Sequence, residues 1–172
     1  ILKFDSIFHS AEKIGYFLKN TIKTNQNNNQ KLSSNPYSAT IIFGGQILGE
    51  EPKIFMIYPE GNFIEASEDE PFLQIGETKY GKPILVRALE QGMDFKEVVK
   101  LLLVSFDSTI RTNLSVGLPI DYCDIINNEF KINRSFRIKE DNKYFNNISN
   151  IWGSTLKNAV ENLPDFEFGK IE

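Results

Sequence analysis

Lys53-Ile54-Phe55-Met56-Ile57-Tyr58-Pro59-Glu60-Gly61-Asn62-Phe63-Ile64-Glu65-Ala66 is the stretch on which the fold turns. An apolar, β-prone run stops at four residues of turn chemistry and a second run resumes at once, which predicts two antiparallel strands joined by a tight turn. Upstream, Ala39-Thr40-Ile41-Ile42-Phe43 ends at Gly44-Gly45 and supplies a strand before them; downstream, Phe72-Leu73-Gln74-Ile75, closed by Gly76, is read as a fourth. In the first two runs alternate positions are both apolar, the pattern of strands covered on both faces, so the meander is expected to be an inner layer.

Helices flank it. After Ser10, read as an N-cap, Ile14, Phe17, Leu18 and Ile22 fall on one helical stripe. This helix is expected to dissolve into a mobile loop over residues 24–35, rich in Asn, Gln, Lys and Ser. Pro83 opens a short helix over residues 82–91, with Gly92 at its C-cap, and Asp94 caps a longer one. The face of that longer helix carries Phe95, Val98, Val99, Leu102 and Phe106, while Leu101, Leu103 and Val104 make it apolar around most of its circumference. Strands over 116–125 and 130–138 are joined at Asn127-Asn128, which can take the positive φ of a hairpin turn. A last amphipathic helix carries Tyr144, Phe145, Ile148, Ile151, Trp152, Leu156 and Val160 and ends before Pro164. With no internal repeat, residues 1–172 read as one α+β domain, best fitted by a four-layer αββα sandwich.

Composition narrows the function. The 172 residues are 41% apolar, enough for a core, and the net charge of −4 comes without a basic cluster, so neither nucleic acid nor an anionic membrane is an expected partner. No apolar run approaches a membrane span and no secretory signal opens the chain, so the expected setting is the cytoplasm. The chain starts at Ile1 rather than at methionine, within apolar sequence, and is expected to be the C-terminal portion of a longer polypeptide. One histidine, His9, and one cysteine, Cys123, exclude a disulfide framework and a Cys/His zinc site; His9 reads as a surface or cap residue and Cys123 as packed. The acidic run Glu65, Glu68, Asp69, Glu70 lacks the spacing of a calcium loop and reads as solvated. Neither a cofactor nor a metal is called for by any side-chain pattern.

Two segments crowd polar residues into junctions. Gln74-Ile75-Gly76-Glu77-Thr78-Lys79-Tyr80-Gly81-Lys82-Pro83 joins a strand to a helix, and Ser105-Phe106-Asp107-Ser108-Thr109-Ile110-Arg111-Thr112-Asn113-Leu114-Ser115-Val116-Gly117 joins the long helix to a strand. By their residues alone, capping and turn chemistry accounts for both, with an acceptor-binding site as the alternative.

These segments, together with Tyr58 to Ala66 and the continuation through Leu118-Pro119-Ile120-Asp121, resemble the proteasome-type peptidases, and within them the bacterial Anbu proteins, ancestral β-subunit homologues. The resemblance covers residues 38–121 well and the flanking helices more loosely. It implies an N-terminal-nucleophile hydrolase in which a threonine attacks a peptide carbonyl while its own α-amino group, which titrates near neutrality, serves as base. The nucleophile and the lysine and aspartate that complete such sites match nothing in this chain, so the chain alone is expected to be inactive. What the resemblance assigns here is the supporting shell. Ser115 matches the serine of the family's Arg-Asp-x-x-Ser-Gly stretch, and Thr112 stands where its aspartate would be, a neutral hydroxyl in place of a carboxylate. Gly76-Glu77-Thr78 replaces the family's Gly-Ser-Gly turn, and Glu77 is the group that would compensate the lost charge. Main-chain carbonyls between Arg111 and Ser115 are where the family likeness would allow a hard cation.

The expected function is therefore a threonine endopeptidase subunit acting on peptides or unfolded proteins in intracellular protein breakdown and assembling with itself into rings or open helices. Two alternatives share the fold: a non-catalytic scaffold subunit, suited by the lost aspartate and serine, and an amidohydrolase of small amides.

Overall fold

The computed structural model describes residues 6–28 and 38–168, and the chain divides into two compact units. The first holds Ile1–Thr78 and Cys123–Ser135; the second holds Lys79–Tyr122 and Phe136–Glu172.

In the first unit a helix, α1 (Ile7–Asn28), packs on a three-stranded antiparallel sheet of β1 (Ile41–Gly45), β2 (Lys53–Ile57) and β3 (Phe63–Glu65), in that order. The register pairs Ile41 with Ile57, Phe43 with Phe55, and Ile57 with Phe63, so these five apolar side chains share one face. Ile7 and Ala11 of α1 close over Phe55 and Ile57, which are fully buried. Phe8, Phe55 and Phe63 add edge-to-face ring contacts. The opposite face carries Ile42, Ile54 and Met56, all half-buried, and Ile64, which is exposed.

Gly15 lets α1 descend onto the β2–β3 turn: a Cβ there would run into the carbonyl oxygen of Gly61, itself at φ +89°. Beyond the sheet, Gln46 holds Asn127 and Asn128, its Nε2 donating to Asn127 Oδ1 at 2.6 Å and its Oε1 accepting from the Asn128 amide at 2.7 Å.

Several expectations change here. Ser10 is not the cap. Ser6 accepts from the His9 amide at 3.1 Å, and Ser10, one turn further in, is buried with its hydroxyl bonded back to the Ser6 carbonyl. Helicity continues through residues 24–28, where Thr24 and Asn25 bond back to helix carbonyls; the rest of the expected loop, 29–35, lies outside the described residues. Phe17 is exposed, since the inward stripe runs through Ile7, Ala11, Ile14, Leu18 and Ile22 instead. Phe72 to Ile75 forms no strand; the segment follows Pro71, which has no N–H to give, and pairs with no described strand. His9 is exposed with its ring beside Ser6, as a surface histidine. Cys123 is exposed rather than packed.

The second unit assembles α2 (Lys82–Ala88), α3 (Phe95–Thr112) and α4 (Lys143–Glu161). Its core is Leu103 of α3, Phe145 and Ile148 of α4, and Ile120 and Ile138, with Val99, Val104, Ile110 and Leu118 packed against them. Asp94 and Glu97 form a reciprocal capping box at the head of α3, each bond 2.9 Å, and Asn142 caps α4 by accepting from the Phe145 amide at 2.9 Å. Gly81 brings the start of α2 against α3: a Cβ there would strike Ser105 Oγ and lie 2.9 Å from Thr109 Oγ1. Of the expected α3 face, Phe95 and Phe106 are exposed. On α4, Tyr144, Ile151, Leu156 and Val160 likewise face outward.

β4 (Ile120–Asp124) and β5 (Arg134–Ile138) make a two-stranded sheet. They are shorter than expected, and the connection is a wide loop rather than a two-residue turn. Asn128 and Phe130 take φ of 65° and 52°, and Asn133 fills the loop, accepting from the Ile126 amide at 2.7 Å and donating to Glu129 at 2.6 Å. Arg134 meets the buried Asp124 at 2.5 Å at the base of this loop. Helices and antiparallel strands in alternation make the chain α+β, as expected.

Candidate functional site

The last turn of α3 delivers the residues singled out by the sequence. The helix ends because Asn113 leaves helical dihedrals while its amide still donates to the Thr109 carbonyl at 2.8 Å. The Asn113 side chain then organises the turn beyond the helix: Asn113 Oδ1 accepts from the Ser115 amide at 2.9 Å and from the Ser115 hydroxyl at 2.7 Å. The Val116 amide closes the turn on the Asn113 carbonyl at 3.1 Å. This is an Asx turn, the local competition that lets Asn stop a helix.

Thr112 and Ser115 therefore lie on one short turn, and both are exposed. Thr112 Oγ1 donates to the carbonyl of Ser108, and Ser115 Oγ donates to Asn113. Each hydroxyl has spent its proton inside the chain, which leaves its lone pairs as acceptors. Each oxygen can therefore accept from an external hydrogen-bond donor.

Glu77 belongs to the first unit. It is half-buried just after Gly76, whose φ of +82° makes the bend, and its carbonyl accepts from Gln74 Nε2 at 3.2 Å.

One group that sequence reasoning passed over lies behind the turn. Asp107, 4% exposed, accepts from Ser149 Oγ at 2.5 Å and from Arg111 Nε at 3.2 Å, and Arg111 Nη2 donates to Ser149 Oγ at 2.5 Å. The triangle ties α3 to α4 and borders a cavity of about 570 Å³ that Thr112 also lines. A signal for half of it was present: a carboxylate inside an apolar helix with an arginine four residues later. Ser149 carried none, since its partner lies on another helix.

Arg137 and Asp121 form an exposed bidentate pair at 2.6 and 2.7 Å; the hydrogen bonds and charge of the guanidinium hold the Asp121 carboxyl below its ordinary value. Glu129 is lowered likewise by hydrogen bonds from Lys131 and Asn133. Among the described residues no group of His, Cys, Asp and Glu could hold a metal ion, and no helix is long and apolar enough to cross a membrane.

Residues 8–123 match the family model for proteasome subunits, more than half of the chain. The chain belongs to the proteasome family. Anbu proteins are among the solved structures it is similar to. A Gly-1 mutant of Anbu from Hyphomicrobium sp. strain MC1 is 43% identical with a TM-score of 0.86, covering 95% of this chain and 67% of its own. Anbu from Yersinia bercovieri, described as an ancestral β-subunit, is 37% identical at a TM-score of 0.86, covering 97% and 68%. The helical assembly of the Anbu complex from Pseudomonas aeruginosa gives 36% identity and a TM-score of 0.89, covering 99% and 70%. This chain thus spans about two thirds of the length of those relatives. No curated protein sequence matches it. The family is that of the N-terminal-nucleophile hydrolase fold, and the α+β architecture here is its proteasome form.

Proposed function

We propose that this chain is part of a proteasome-type threonine endopeptidase subunit and that it contributes the supporting side of the active site. The observation that carries the reading is the Thr112–Ser115 turn. Its two hydroxyls act as donors to the chain itself and are left as acceptors for an amine. An N-terminal threonine needs such acceptors, because its α-amino group is both the base that takes the hydroxyl proton and a cation once it has done so. In this reading the nucleophile is none of the residues Ile1–Glu172. Ser115 and Thr112 accept from the amine, and Glu77 is, by the family resemblance alone, the group that would compensate for the aspartate missing at position 112. Substrates are peptides or unfolded proteins, and the setting is the cytoplasm.

Self-association belongs to the same reading. The apolar residues Tyr144, Ile151, Leu156 and Val160 stand exposed along α4, and an apolar groove of about 500 Å³ lies between Ile84, Leu101, Val104, Ile148 and Trp152. The Pseudomonas aeruginosa relative is a helical assembly.

Thr112 also favours a second reading, a scaffold subunit without turnover, because the position lacks a carboxylate. One experiment separates them. The full-length polypeptide is assembled and assayed against fluorogenic peptides of increasing length and a panel of small amides, with intact mass after treatment with an electrophile that captures an N-terminal threonine. Peptide cleavage with a single adduct, reduced tenfold or more by Ser115→Ala and by Glu77→Gln, supports the peptidase. Assembly with neither cleavage nor adduct leaves the scaffold, and turnover confined to small amides makes it an amidohydrolase.

A further inference from the structure

We propose that Asp107, Arg111 and Ser149 form a positioning device that sets where the Thr112–Ser115 turn stands, a role that rests on the peptidase reading for its consequence but not for its geometry. Thr112, Leu114, Ser115 and Gly117 of the turn are exposed, Leu114 fully so, while Asn113 and Val116 are half-buried. Its internal bonds, from Asn113 to Ser115 and Val116, give it a shape. The turn begins at Thr112, the residue that follows Arg111, so what holds Arg111 acts on the turn's starting point.

Arg111 is held from two sides. Its Nε donates to both oxygens of Asp107, at 3.2 and 3.3 Å, and its Nη2 donates to Ser149 at 2.5 Å. Ser149 in turn donates to Asp107 Oδ1 at 2.5 Å, so the serine oxygen is at once donor and acceptor and the three groups close on themselves. Asp107 and Ser149 are both at least nine-tenths buried. A buried carboxylate loses its hydration, and an apolar residue of similar size in an otherwise apolar helix would avoid that cost. What the polar triangle adds is direction. Dispersion contacts between α3 and α4 tolerate small slides and rotations, whereas charge-assisted bonds of this length, converging from two helices, fix the azimuth of the last turn of α3. Thr112, bonded to the Ser108 carbonyl in that same turn, inherits the setting.

The test uses Ser149→Ala, which removes one oxygen that both donates and accepts, with Ser149→Thr as the variant that keeps the hydroxyl and Arg111→Lys as a substitution on the exposed rim that leaves folding intact. Hydrogen exchange in the full-length protein is read at the amides of Asn113, Ser115 and Val116, all hydrogen-bonded here, and separately in α1 and β2. The expected result is exchange at 113–116 at least tenfold faster in Ser149→Ala and Arg111→Lys, unchanged in α1 and β2, and restored in Ser149→Thr. With peptide substrate, kcat falls by a similar factor while KM stays within twofold. Unchanged exchange at 113–116 in both variants overturns the proposal, as does an equal rise throughout α3 and α4, which would make the triangle ordinary packing. A wild-type protein that cleaves no peptide overturns the peptidase reading alone, since exchange still decides whether the triangle sets the turn.

Discussion

Gly15→Ala and Gly153→Ala are chemically the same change, both inside helices, and the structure predicts opposite signs for them. Alanine is favoured over glycine in a helix by roughly 1 kcal/mol, because glycine loses more backbone freedom on folding. At Gly153, on the exposed side of α4, a new Cβ meets nothing within 4 Å, so that gain is realised in full. At Gly15 the same Cβ collides with the carbonyl oxygen of Gly61, and the reciprocal approach is also close, Gly15 O lying 2.9 Å from where a Gly61 Cβ would stand. Both partners are backbone, so relief requires α1 to lift off the β2–β3 turn. Ile14 and Leu18, on either side of Gly15, are packed against the core cluster that Phe55 and Ile57 anchor, and lifting loosens them. Overpacking of this kind costs about 1–3 kcal/mol, rising toward the top of that range where no flexible side chain can yield. After the propensity gain, Gly15→Ala is expected to lose about 2 kcal/mol. At about 2–4 °C per kcal/mol for a chain of this size, Tm should fall by about 4–8 °C in Gly15→Ala and rise by about 2–4 °C in Gly153→Ala. Urea unfolding followed by circular dichroism, with matched m-values, measures both. A Gly15→Ala protein as stable as its parent, or two variants moving in the same direction, would refute the close approach of α1 to the turn.

Two further predictions concern α3 and the exposed pair. Asp94→Ala removes the reciprocal cap at the head of α3 and should cost about 1 kcal/mol in urea unfolding, with Asp94→Asn losing much less, because either side chain accepts from the Glu97 amide. Asp121 titrates below its ordinary value because Arg137 stabilises its charged form. A depressed carboxyl contributes stability above its unfolded value, near about 4, and that contribution is lost as pH falls through the folded value. Arg137→Gln should therefore return the Asp121 carboxyl carbon titration, followed by NMR, upward to the ordinary range; an unmoved titration would mean that the pair does not persist in solution.

Much of the architecture could be read before any coordinates, and the reasons are local. Pro59-Glu60-Gly61-Asn62 between two β-prone runs can hardly be anything but a turn, and strands β2 and β3 lie on either side of it. Asp94 with Glu97 and Pro83 near a helix start act within one turn of chain, so the starts of α2 and α3 were legible, whereas α2 stops at Ala88 with Leu89, not Gly92, as its C-cap. Misreadings came where a side chain's partner lies far along the chain. Ser10 has the chemistry of a cap, but Ile7 and Ala11 find Phe55 and Ile57 beneath them, which draws the helix one turn further back and buries Ser10 inside it. The run Phe72 to Ile75 has strand composition without a described strand to pair with, and Asn133, bonded across the loop to the Ile126 amide, turned an expected tight hairpin into a wide loop.

The candidate site divides along the same line. Thr112, Asn113 and Ser115 sit within four residues, and their turn is dictated by the propensity of an asparagine side chain to accept from the amide two residues on, so sequence alone determined its shape and its family resemblance. Whether that turn has a fixed place was decided by tertiary structure: Ser149 meets Asp107 and Arg111 only because the apolar residues of α3 and α4, Leu103 with Phe145 and Ile148, bring the helices together first. Local chemistry is encoded in neighbouring residues, while a hydrogen bond across 38 positions of chain exists only once burial has set the distance.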